Sequence, residues 1–288
     1  MEETIKQSQK VTPAGPAVAD HAAYVGAIPE NYHSGVGPFL FEPYAQELSA
    51  RIAAFSPRRV LETACGTGLL TRRLREALPG EALLIATDLN EPMLAVAKRT
   101  VGPGANVQWA REDMTRLRSG SGEFDAVVCQ FGIMFVPNKP AAAREALRVL
   151  KPGGRLLMAT WRAVAENEAI RLAHETVSSL FPGELPQFYL TQTGHGDPQE
   201  ITRLLVSAGF VDVQAEVVQK RSTITSMREV AVGLIEGFPI VDFIKARDPA
   251  LVPVAVDTLT EALGKHFGQA PAEATISALV TSATAPDA

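Results

Sequence analysis

Cysteine is scarce in this chain of 288 residues: there are two, Cys65 and Cys129. Two isolated thiols cannot form a disulfide framework or a cysteine-based metal site, so no metal is expected. They read instead as small buried side chains near the ends of two strands. Also missing are a secretory apolar segment and any apolar stretch long enough to span a bilayer, which sets the expectation of a cytoplasmic protein without a membrane partner. No long run of Lys and Arg occurs and the formal net charge is −5, which argues against a nucleic-acid partner. No internal repeat or low-complexity segment stands out. What remains, at 46% hydrophobic residues, is enough to bury one sizeable core carrying a lid.

The most informative stretch is Arg59 to Thr71, RVLETACGTGLLT. An apolar strand ends in a carboxylate, and a small-residue turn then opens a helix whose free amide groups face whatever sits there. Ala64, Gly66 and Gly68 leave room for a ligand to approach the backbone. A second apolar run, Leu83 to Ala86, leads to Asp88, twenty residues beyond Gly68. That spacing suits a carboxylate accepting hydrogen bonds from ribose hydroxyls.

Dinucleotides and S-adenosylmethionine both use this geometry, and two residues separate them. The third glycine of a G-x-G-x-x-G series falls on Thr71, so the dinucleotide fingerprint is incomplete. Glu62 would repel a pyrophosphate, whereas a methionyl ammonium and a sulfonium are attracted to a carboxylate. The cofactor expected is therefore S-adenosylmethionine.

Strands and helices alternate from Val60 to Trp161, with strands expected near 58–63, 82–87, 106–110, 124–129 and 154–160. Such alternation implies an α/β fold on a parallel sheet. A helix is expected over Glu42 to Phe55. Another is capped by Asn90 with Pro92 in its first turn, and a third is opened by Pro140 and stopped at Lys151-Pro-Gly-Gly. Later come a helix through Ile170 to Phe181, an irregular stretch from Pro182 to Asp197, a helix from Ile201 to Gly209, and strands at Val211 to Gln219 and Thr275 to Ser282. Helical patterns between those two strands, with Pro253 able to bend the last of them, read as a cap. The expected organisation is a mobile tail at 1–20, a main domain over 21–222 and 271–288, and a helical cap at 223–270.

Five ordered blocks resemble those of the class I S-adenosylmethionine-dependent methyltransferases: ETACGTG from Glu62, ATDLNEPML from Ala86, REDMTRL from Arg111, FDAVVCQFGIMFVPN from Phe124 and LRVLKPGGRLLMATW from Leu147. Within that family the chain resembles the small-molecule branch that includes the ubiquinone/menaquinone-biosynthesis C-methyltransferases. The resemblance covers Tyr44 to Trp161 clearly and the remainder loosely. It implies a Rossmann-like, seven-stranded, mostly parallel sheet whose last strand is antiparallel and inserted between two others, with the cap placed before that strand. It implies methyl transfer to a small, apolar or aromatic acceptor by in-line displacement. The tetrad Asp/Asn-Pro-Pro-Tyr, which marks methyltransferases acting on amines of adenine or glutamine, is replaced by Cys129-Gln-Phe-Gly.

By this resemblance Glu62 lies near the cofactor's amino group, Asp113 and Met114 hold adenine, and Asn31-Tyr32 belongs to a stretch that covers the cofactor. His33 stands where relatives often carry Asp. Leu89 and Met93 offer apolar contact to adenine or ribose, although Met93 also suits a plain core. Gln130 and Phe131 end the fourth strand beside the methyl group, and Phe131, Trp161, Tyr189 and Phe238 are the expected acceptor lining. Candidates for a general base are His195, His174 and His33, since a neutral imidazole can take a proton near pH 7. Two rivals stay open: a protein that binds the cofactor without methyl transfer, as sensor or rearrangement catalyst, and a nicotinamide-dependent oxidoreductase. A monomer or homodimer is expected.

Overall fold

The computed structural model describes residues 23–103 and 106–287. The expected tail at 1–20 lies outside the described residues. Seven strands form one sheet: β1 (Arg59–Thr63), β2 (Leu83–Asp88), β3 (Val107–Arg111), β4 (Phe124–Gln130), β5 (Leu150–Trp161), β6 (Val211–Ile224) and β7 (Ala272–Thr284). Their order across the sheet is β3-β2-β1-β4-β5-β7-β6. The first five are mutually parallel, and β7 inserts antiparallel between β5 and β6. The expected seven-stranded, mostly parallel sheet with an inserted antiparallel strand is what the chain forms. β1 and β4, central in the sheet, are buried over most of their length, as continuous apolar runs between helical layers must be.

Chain order explains the layers. α1 (Ile28–Asn31) runs into a π-helix (Tyr32–Phe41) and then α2 (Glu42–Ala53). α3 (Leu69–Ala77), α4 (Glu91–Val101) and α5 (Lys139–Val149) are the crossovers that parallel pairing requires. α6 (Glu168–Leu180), α7 (Phe188–Thr193) and α8 (Pro198–Ala208) lead to β6. Between β6 and β7 stand α9 (Met227–Glu236), α10 (Ile240–Lys245) and α11 (Leu251–Phe267), with Leu234, Phe238, Val241, Ile244, Leu259 and Leu263 buried. α11 continues through Pro253, which sits in its first turn where a missing N–H costs little.

Several boundaries differ from the sequence reading. β5 begins at Leu150, so Lys151-Pro-Gly-Gly lies inside the strand; Leu150 pairs with Phe124 and a register shift follows. The stretch 182–197 contains α7. β6 extends five residues past Gln219, to Ile224. Asn90 begins α4 without a side-chain cap; its Oδ1 instead accepts the Tyr24 N–H at 3.4 Å.

Buried Asn167 braces the inserted strand. Its Oδ1 accepts the Ser277 N–H at 2.9 Å and its Nδ2 donates to the Ser277 carbonyl at 3.1 Å. Asn167→Leu leaves the Ser277 N–H without this partner, while the carbonyl keeps the Arg162 N–H, and should lower the unfolding free energy in urea by about 1–3 kcal/mol. An unchanged denaturation midpoint would show the brace to be dispensable.

Candidate active site

The strand-to-helix turn after β1 is built from left-handed backbone. Ala64 has φ 52° and Gly66 φ 56°, and nothing lies within 4 Å of where a Gly66 Cβ would stand. The Gly66 N–H donates to Asp88 Oδ2 at 2.9 Å, and the Asn90 N–H donates to Asp88 Oδ1 at 2.8 Å. Asp88 thereby ties the ends of β1 and β2 together. Burial pushes its carboxyl above the ordinary value, and these donors pull the other way.

Opposite, β4 is followed directly by Phe131, whose φ of 55° is unusual for a bulky side chain. Its ring stacks on Trp161 with centroids 3.9 Å apart and planes 3° from parallel. Gly132 follows, and a Cβ there would meet the Ala64 Cβ at 2.4 Å. Only glycine lets the two turns approach this closely.

Between these turns opens a cavity of about 350 Å³, in the size range of small-molecule sites. Of the residues singled out as cofactor contacts, Tyr32, Ala64, Gly66, Asp88, Leu89, Met93, Asp113, Met114 and Gln130 line it, and so does Phe131. Glu62 and Gly68 do not. Gly68 begins α3 and faces α4, where a Cβ would come within 2.9 Å of the Ala97 backbone; it serves helix packing. Glu62 sits beneath the turn, 1% exposed, with its Oε2 lacking any hydrogen-bond partner. Burial, partly offset by the Thr71 hydroxyl and reinforced by the charge of Asp88, pushes its carboxyl up to about 8.

Tyr24 also lines the cavity and had no assignment from sequence; its place in an aromatic, glycine-rich segment was the available signal. Its ring meets Tyr32 edge-on at 5.9 Å, and burial, followed by nearby negative charge, holds both phenols well above their ordinary range. Phe135, Val136, Pro137 and Asn138, within the block from Phe124 to Asn138, complete one wall. Asp113 Oδ1 accepts from both the N–H and the hydroxyl of Thr115 at 2.8 Å. Gln130 Nε2 donates to the Phe41 carbonyl at 3.1 Å, joining β4 to the π-helix.

The remaining candidates lie off the cavity wall. Trp161 backs Phe131, and the Tyr189 hydroxyl donates to the Leu234 carbonyl at 2.7 Å. Phe238 packs edge-on against Tyr32 at 5.6 Å. All three are fully buried. His195 Nδ1 is 3.0 Å from Glu200 at the start of α8, His174 packs near Tyr189, and His33 lies on the π-helix. Burial pulls His33 and His174 below the usual imidazole value. Burial likewise raises both thiols, making Cys65 and Cys129 poor nucleophiles. Among the described residues no cluster of three or more His, Cys, Asp or Glu could hold a metal ion, and no helix is long and apolar enough to cross a membrane.

A family profile described as a methyltransferase domain matches residues 60–154, which carry β1 to β4 and most of the cavity. The ubiquinone/menaquinone biosynthesis C-methyltransferase UbiE of Pseudomonas fluorescens is 31% identical over 185 residues, 59% of this chain and 71% of that protein. UbiE of Pseudomonas aeruginosa is 33% identical over the same shares. Among solved structures, phosphoethanolamine N-methyltransferase 2 of Haemonchus contortus, bound to S-adenosyl-L-methionine, shares the fold at a TM-score of 0.56 and 18% identity, over 90% of this chain and 57% of that one. Sheet order, the glycine turn held by the Asp88 carboxylate, and identity above 30% to UbiE across most of that protein's length converge: the chain belongs to the class I S-adenosylmethionine-dependent methyltransferases and resembles UbiE.

Proposed function

We propose that this enzyme methylates a small, apolar or aromatic acceptor, and that the cavity between the β1 and β4 turns receives the cofactor. The observation that carries the reading is the pairing of an unobstructed Gly66 with a carboxylate already fixed by two backbone donors at Asp88. The orphaned, buried Glu62 oxygen beneath the same turn fits a cationic ligand and opposes an anionic one. When bound, S-adenosylmethionine supplies an electrophilic methyl group on a sulfonium.

The chain's own residues position and enclose. In this reading Asp88 accepts the ribose hydroxyls, the Gly66 backbone admits the methionyl end, and Glu62 supplies negative potential from below. Asp113 and Met114 hold the adenine edge, while Leu89 and Met93 give it apolar surface. Tyr32 and Gln130 close the side toward the π-helix, and Phe131 presents its ring to the acceptor. Trp161, Tyr189 and Phe238 act behind that surface by fixing Phe131, the cap and Tyr32. With the candidate histidines off the cavity wall, alignment and exclusion of water would supply most of the rate enhancement; well-oriented reactions gain about 7–11 kcal/mol in this way.

Incubation with S-adenosylmethionine and a panel of lipophilic, aromatic and amine acceptors, with S-adenosylhomocysteine release as readout, tests the acceptor class. Product with apolar or aromatic acceptors is expected. Turnover confined to hydrophilic amines would contradict it.

A further inference from the structure

The two edges of the sheet differ. β3 at one side is five residues long, whereas β6 at the other runs from Val211 to Ile224, fourteen residues without a proline. Edges are normally protected by shortness, proline, a bulge, charged side chains or a covering element. Here the register shift lies near the start of the strand, between Val211 and Gln214. Among the described residues, β7 is its sole strand neighbour.

Hydrogen bonds on β7 fix which backbone groups of β6 are free. The N–H and C=O of Ser277 are directed away from β6, to Asn167 and Arg162. Backbone direction alternates along a strand, so Ile276 and Ala278 face β6, and their partners Lys220 and Val218 face back. Val217, Gln219 and Arg221 therefore turn their N–H and C=O groups outward. Val217 is 44% exposed and extends this edge with apolar surface.

The charges along β6 are arranged for a copy of itself. Glu216 pairs with Arg51 at 2.8 Å and Lys220 pairs with Glu47, both partners on α2, so these two side chains share one face. We propose that the free edge of β6 pairs antiparallel with β6 of a second copy about a two-fold axis at Val218, giving one continuous sheet across two chains. In that register Glu216 of each copy opposes Lys220 of the other, and Val217 and Gln219 exchange backbone hydrogen bonds. Registers centred on Val217 or Gln219 also keep faces matched, but they leave Glu216 and Lys220 without an opposite charge across the pair. Centring on Glu216 or on Lys220 sets like charges directly opposite one another, which destabilises strand pairs. The existing pairs with Arg51 and Glu47 would join a network across the interface.

Sedimentation velocity of the full chain over a concentration series tests this. The apparent mass should rise from 30.8 kDa toward twice that value. Gln219→Pro removes an outward N–H while sparing the β6–β7 ladder, and should weaken association by roughly tenfold or more. Its affinity for S-adenosylhomocysteine, unchanged, reports an intact fold. Two further variants read the register: Glu216→Lys and Lys220→Glu each place like charges opposite one another and should stay monomeric alone, yet associate when mixed. A wild-type chain that remains at 30.8 kDa throughout, a Gln219→Pro chain that associates as tightly as wild type, or a mixture no more associated than its components would each overturn the proposal.

Discussion

Affinity for S-adenosylhomocysteine should fall as the pH drops below about 8, by up to about tenfold per unit, and Glu62→Gln should abolish that dependence. Burial, only partly offset by the Thr71 hydroxyl, raises the Glu62 carboxyl, so in the free protein it is largely protonated at neutral pH. A ligand ammonium above the turn favours the carboxylate, and binding then expels a proton. Below the free-protein value each unit makes that expulsion harder. The ligand's own amino group loses its proton only at higher pH, which weakens binding on the alkaline side, a limb the variant retains. The linkage for stability has the opposite sense. A carboxyl raised on folding contributes stability that is fully present below its unfolded value near 4.5 and is lost as pH rises through about 8. The ligand-free protein should therefore melt at lower temperature as pH climbs through that window, and Glu62→Gln should flatten the trend. Calorimetric titration in buffers of different ionisation enthalpy counts the released proton. A pH-independent affinity in the wild type would mean that Glu62 does not sense the ligand.

Asp88→Ala should weaken S-adenosylhomocysteine by about a hundredfold or more. Two effects combine at this residue. The variant loses a charged acceptor for the ribose, at about 1.5–3 kcal/mol per hydrogen bond. It also strips the Gly66 and Asn90 N–H groups of the oxygen that orients the turn, so the surviving backbone no longer presents the same site. Asp88→Asn separates the contributions, because the amide keeps the shape and one acceptor oxygen but carries no charge; an intermediate loss is expected. Thermal melts of both variants distinguish a damaged site from an unfolded chain. Near-wild-type affinity in a folded Asp88→Ala protein would remove Asp88 from the site.

How much of this was legible in the sequence depended on whether a residue's role is local. The apolar runs of β1, β2 and β4 and the turn Glu62 to Gly68 announce themselves because strand, carboxylate and glycine turn are adjacent in the chain. Cavity contacts at Gly66, Asp88 and Asp113 follow from strand ends alone, since parallel strands deliver their last residues to one rim. Roles set by distant partners were not readable. Gly68 looked like ligand clearance, yet its close neighbour is Ala97 on α4. Trp161, Tyr189 and Phe238 were read as acceptor lining, but apolar side chains serve equally for packing, and these are buried behind the cavity wall. The π-helix Tyr32–Phe41 does not follow the 3.6-residue period by which an α-helix shows in sequence. Its neighbour supplies part of the explanation, for a Cβ on Gly35 would collide with Gly233 of α9 at 2.6 Å, and the two backbones therefore pack directly together. Lys151-Pro-Gly-Gly signals a turn locally, but pairing of Leu150 with Phe124 draws it into β5.

Crystals grown with S-adenosylhomocysteine test the central assignment most directly. Ligand density should fill the cavity between the β1 and β4 turns, with ribose oxygens on Asp88, the adenine edge at Asp113 and Met114, and the amino group on the side above Glu62. Density elsewhere, or a ribose bound without Asp88, would contradict it.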